Sequence, residues 1–147
     1  MYFVNRSEIE ETVEYIQHVL KEVEQLQATN NDIEKFALER MTHVIIESIL
    51  DVGNMMIDGF IMRDPGSYHD IIDILIDERV IPKDEEEAYK SLIDLRQELV
   101  QNYTAINHAQ FIETFKNHMA TYLTFQSRIH TYLKNELDVA NAFSNEE

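Results

Sequence analysis

The chain has 147 residues, with 12 Lys and Arg against 28 Asp and Glu, a formal net charge of −16 with histidine neutral. The length suits one domain and the 44% hydrophobic content supplies a core, while three Gly and two Pro are too few for the tight turns of a β-sandwich or a doubly wound α/β fold. The absence of cysteine excludes a disulfide framework, a zinc-thiolate site and a cysteine nucleophile, and the acidity opposes loose nucleic-acid binding without excluding a small basic site.

The first ten residues show no basic segment followed by an apolar run, and no apolar stretch reaches membrane-spanning length; the expectation is a cytoplasmic protein with no membrane association. Ser7 and Glu10 have the spacing of a capping box and predict a first helix over 8–28. Its seam is Ile9, Val13, Ile16, Leu20 and Val23. Asn31 with Glu34 predicts the start of a second helix that runs to about Asp58, with Gly59 near its end. The second half of that helix, 44–57, is apolar around much of its circumference. It should be central in a bundle or shared between a core and an interface.

Arg63-Asp64-Pro65-Gly66-Ser67 reads as a loop, and Ser67 with Asp70 opens a short helix over 68–79. Pro82 and an Asp84/Glu87 cap restart the chain into a helix ending near Gln101, with the seam Ala88, Leu92, Leu95 and Leu99. Asn107 with Gln110 caps a long helix over 108–136, striped by Phe111, Phe115, Tyr122, Phe125, Ile129 and Tyr132. No strand pattern of useful length is present. The expected fold is all-α: an antiparallel helical bundle of four long helices plus one short helix, forming a single domain over 1–140, with a flexible acidic tail over 141–147.

None of the six histidines follows an Asp or Glu by three residues, so the paired Glu-x-x-His ligands of a di-iron bundle are absent, and neither a metal nor a cofactor is expected. His43, Glu47 and Asp51 lie four apart and share a helix face, most simply as a polar stripe satisfied by neighbours. Glu47, Asp51 and Asn54 interrupt an apolar segment. They either face water or orient an arginine from another helix, because a buried carboxylate needs a cation or a donor. Gly53, without a Cβ, would permit close backbone approach there. Arg96, Gln101 and Tyr103 can converge on a cleft where arginine forks onto a phosphate, although an arginine near a helix C-terminus is also simply favourable to the helix dipole.

Arg96-x4-Gln101-x-Tyr103, together with Asp51-Val-Gly-Asn54 in an apolar helix, resembles the HepT-like family of the HEPN superfamily, small all-helical ribonuclease toxins. The family signature is Arg, four to six residues, His, one residue, Tyr. The stretch from Asp51 through Gly66-Ser67-Tyr68 to Leu75 looks like the YutE-type branch, and the resemblance spans essentially the whole chain. It implies a homodimer that cleaves RNA without metal at a cleft between protomers. That cleft would contain Arg96, Gln101, Asn102 and Tyr103, supported by Glu47, Asp51 and Asn54. It also implies a toxin–antitoxin pair in which a small nucleotidyltransferase adenylylates Tyr103.

The chain departs from the signature at Gln101, which stands where the family has histidine. An imidazole exchanges a proton near neutral pH; an amide only donates and accepts hydrogen bonds. RNA cleavage is therefore expected to be impaired. His108 is the nearest substitute base by sequence, but its simpler reading is a surface residue of the fifth helix. The alternative is a non-catalytic acidic dimer that serves protein interaction or nucleotide binding.

Overall fold

Asn5, not Ser7, starts the first helix: its side-chain oxygen accepts the Glu8 N–H at 3.1 Å, two residues ahead of the expected box. This structure, a computed structural model, describes residues 4–146, with side chains as far as Asp138. Helix α1 spans Arg6–Glu24 and stops short of residue 28. The Leu26 N–H turns back to the Val23 carbonyl, and the Gln27 amide takes the Glu24 carbonyl at 3.2 Å.

Asn31 caps α2 (Asp32–Gly59) as expected, accepting the Glu34 N–H at 2.9 Å, while the Glu34 carboxylate accepts the Asn30 N–H. The helix is central: α1, α3 (Tyr68–Asp77), α4 (Glu86–Gln101) and α5 (His108–Tyr122) all pack against it. Its apolar circumference is thereby accounted for within one chain. Gly59 stays helical and buried. The left-handed residue that ends α2 is Ile61, at φ 57°, and the Met62 N–H then closes onto the Ile57 carbonyl at 2.9 Å. The end of α3 repeats the device with Arg79 at φ 61°.

Gly53 is where the absent Cβ matters. A Cβ there would overlap Cγ2 of Ile71 on α3, so the glycine sets how closely α2 and α3 approach. Ser67 caps α3 through the Asp70 N–H at 3.0 Å. The Asp84 cap expected for the next helix is not used. A 3₁₀ turn, Lys83–Glu85, leads into α4 without a side-chain cap. Glu85 turns inward, nearly buried, where Arg128 grips both its carboxylate oxygens at 3.1 and 2.7 Å.

Asn107 caps α5, accepting the Gln110 N–H at 3.2 Å. The single helix expected over 108–136 is divided at Leu123-Thr124 into α5 and α6 (Phe125–Glu146). The Thr124 hydroxyl and N–H both take the Thr121 carbonyl, at 2.6 and 3.0 Å, which removes that acceptor from the helical ladder. The break lets Tyr122 and Phe125 both turn inward, each with its ring centroid 5.7 Å from that of Tyr89. The tail expected over 141–147 lies outside the described residues in its side chains, and Glu147 lies outside them altogether. Among the described residues there is no strand, and no helix is long and apolar enough to cross a membrane.

Candidate functional site

The polar stripe of α2 meets α4 at one point. Arg96 donates from Nε to Oε1 of Glu47 at 2.7 Å, and Tyr68, the first residue of α3, lays its ring 4.8 Å from the guanidinium carbon. His43 lies one turn before Glu47, 3.7 Å from the same oxygen. The hydrogen bond that Arg96 donates to Glu47 raises the Arg96 pKa against a smaller opposing cost of burial, so the guanidinium stays charged. No hydrogen bond among the described residues uses its two terminal nitrogens. A guanidinium held by Nε and by an aromatic face keeps that fork for a phosphate or carboxylate.

Arg96 lines an open cleft of about 460 Å³ between the start of α3 and the last turns of α4, together with Tyr68, His69, Asp94, Gln97 and Gln101. Gln101 closes α4, exposed, with its carbonyl oxygen accepting from the Gln97 amide at 3.2 Å. The start of α3 is braced by its preceding loop. Arg63 forks onto Asp70 at 2.7 and 2.8 Å, and the Gly66 N–H adds a third bond at 2.8 Å. These bonds, Arg63's first, hold the Asp70 carboxyl down at about 2.

The two readings of the α2 stripe each hold in part. Glu47 orients the arginine, whereas Asp51 and Asn54, one and two turns further on, are exposed. Partial desolvation, followed by the nearby Glu47 and Glu8 charges, raises the Asp51 pKa. Asn102 donates to Glu98 at 3.2 Å, and Tyr103, beyond the helix, is 66% exposed. His108 is not a simple surface residue, as its ring meets Glu39 of α2 at 2.8 Å with both side chains largely covered. The geometry also reveals a pair the sequence reading missed: His69 Nε2 lies 2.6 Å from Asp94 Oδ1, joining α3 to α4 in the Arg96 cleft. Twenty-five positions separate the two, so no short spacing announces them.

The architecture is an all-α bundle in which an arginine on the last turns of one helix bonds a carboxylate of the central helix. Residues 9–129 match the family described as Ribonuclease HepT-like, and the chain belongs to that family. A curated relative, YutE of Bacillus subtilis (strain 168), named as a candidate RNase, is 45% identical over 143 residues, covering 97% of this chain and 99% of the relative. A solved structure, described as the cytosolic protein of unknown function YutE from Bacillus subtilis, superposes with a TM-score of 0.89 at 45% identity, covering 93% of this chain and 96% of that one.

Proposed function

We propose that this protein is a cytoplasmic, metal-independent endoribonuclease of weakened activity that works as a homodimer, with Arg96 as its phosphate-binding group. The observation that carries the reading is the Arg96 guanidinium, fixed by Glu47 and Tyr68 at the mouth of a cleft that also holds Gln101. Family membership supports RNA as the substrate. General acid–base catalysis contributes roughly 10²–10⁴-fold in rate, and an amide at position 101 forgoes it there. Asn102 and Tyr103 follow Gln101 in the chain, just beyond the residues that line the cleft, and Asp51 and Asn54 continue the polar face beside Glu47.

The exposed apolar side chains support the second copy. Ile33 and Phe36, on the first turns of α2, are 81% and 66% exposed, and Val100 and Tyr103 stand out at the end of α4. The His108–Glu39 contact ties the chain just after α4 to the start of α2, so both pairs belong to one end of the bundle. An apolar surface of this kind, which includes the cleft-lining Val100, suits a partner that covers it. The exposed Tyr103 phenol is open to AMP transfer from ATP by a partner nucleotidyltransferase, with pyrophosphate leaving, as in a toxin–antitoxin pair.

Purified protein is tested on oligoribonucleotide at low salt. Slow cleavage, faster in Gln101→His and lost in Arg96→Ala, is expected. The second reading, a non-catalytic acidic dimer for protein interaction or nucleotide binding, draws on Gln101 and on the net charge of −16, which opposes RNA association. Absence of cleavage in both the native protein and Gln101→His would favour it.

A further inference from the structure

We infer that His69, oriented by Asp94, is the acid–base group that works beside Arg96 in this cleft; the inference rests on the ribonuclease reading. Position 101 carries no proton-transferring group, yet the cleft does contain an imidazole. His69 stands on the first turn of α3, whose direction is set by the Ser67 cap and by the Arg63–Asp70–Gly66 brace. Its Nε2 meets the Asp94 carboxylate at 2.6 Å. A carboxylate accepting the Nε2 proton fixes both ring rotation and tautomer, and leaves the Nδ1 lone pair to take a proton. His69 immediately follows Tyr68, the residue that stacks on Arg96, and both line the same open cleft as the arginine.

The surrounding charges suit the role. The Asp94 carboxylate lies against the ring, and the Arg96 guanidinium lines the same cleft. Lys90 on α4 is committed to Asp73 and Glu86, at 2.7 Å each. The other nearby imidazoles are engaged elsewhere: His43 sits beside Glu47 and outside the cleft lining, and His108 binds Glu39.

In the reaction, the ribose 2′-oxygen bonds to the adjacent phosphorus and gives its proton to Nδ1 of His69. The bond from phosphorus to the 5′-oxygen breaks, and the leaving oxygen takes a proton from water. Arg96 balances the charge on the phosphoryl oxygens. The products are a 2′,3′-cyclic phosphate and a free 5′-hydroxyl, and His69 returns its proton to solvent.

The experiment measures cleavage of a short oligoribonucleotide against pH for the native protein, His69→Ala, His69→Gln, His130→Ala and His69→Ala combined with Gln101→His. Affinity is read in parallel by fluorescence anisotropy. His69→Ala is expected to lower the rate by roughly 10²-fold or more and to flatten its rise with pH, with affinity within a few-fold of native. His69→Gln can keep a hydrogen bond to Asp94 and separates loss of the proton carrier from loss of the α3–α4 contact; it too should be slow. His130→Ala, on α6 beside Glu10 and away from the cleft, should keep the native rate, and an imidazole at 101 should restore cleavage to His69→Ala. Native rate and pH profile in His69→Gln would overturn the role of His69 alone, as would loss of activity in His130→Ala instead. Native protein that binds the oligoribonucleotide and leaves it intact at every pH would overturn both the ribonuclease reading and this role.

Discussion

Arg96 spans from α4 to α2 to bond Glu47 at 2.7 Å while both side chains keep contact with water, 28% and 41% exposed. The ion pair therefore aims the guanidinium more than it stabilises the fold. A buried pair costs about 3–5 kcal/mol when one partner is removed; a pair this open contributes about 0.2–1 kcal/mol. Arg96→Ala should shift the urea midpoint only slightly and leave the slope unchanged, while RNA or nucleotide binding falls sharply. A stability loss several-fold larger would mean the arginine is chiefly structural.

Gly53→Ala tests the α2–α3 approach. The added methyl meets Ile71, whose β-branched side chain is buried and cannot swing aside. Overpacking of about 1–3 kcal/mol exceeds the gain of about 1 kcal/mol from replacing a helical glycine by alanine. The expected result is a lower melting temperature, and movement of α3 should also weaken RNA binding at the cleft. A variant as stable as native would show that the two helices separate freely.

Asp70 gives an acid-side signature. Its carboxyl is held at about 2 in the folded protein, below the ordinary value of 3.8. A depressed carboxyl contributes stability that is present above the unfolded value and is lost as pH falls through the folded one. Between about pH 4 and pH 2 the native protein should lose more melting temperature than Asp70→Asn, and the two curves should converge near pH 2. Parallel curves would show that the Arg63 fork is not maintained in solution.

Assembly is read by light scattering. The protein is expected at twice the chain mass at micromolar concentration, and Phe36→Asp, which places a charge on the exposed start of α2, should reduce it to one. Native protein at the mass of one chain would remove the shared cleft from the proposed mechanism, since the apolar second half of α2 is already covered within the chain.

Ile61 holds a left-handed conformation that β-branched residues rarely adopt, at φ 57° with its side chain 67% exposed. Ile61→Gly relieves that strain and should raise stability by about 1 kcal/mol. An unchanged or lower melting temperature would mean that contacts of the isoleucine outweigh the backbone term.

What the sequence alone determined is what acts within one or two turns. Asn31, Ser67 and Asn107 cap their helices because a short polar side chain reaches an N–H three residues ahead. Apolar residues three and four apart sort each helix into a buried and a wet face, which is enough for an all-α bundle, and the spacing singles out Arg96 and Gln101, which line one cleft, along with Tyr103, which does not. Local spacing misled where two caps competed, as at Asn5 and Ser7, and where a side chain intercepted a carbonyl, as Thr124 does at the α5–α6 break.

Only the tertiary structure decided which distant polar groups meet. Glu47 holds Arg96 while Asp51 does not, because a shift of one turn along α2 moves a side chain out of hydrogen-bonding reach. His69 meets Asp94, and Glu85 meets Arg128, across 25 and 43 positions. Such partners are chosen by how closely the helices pack and at what angle, and here Gly53 against Ile71 sets that approach on one side of the cleft.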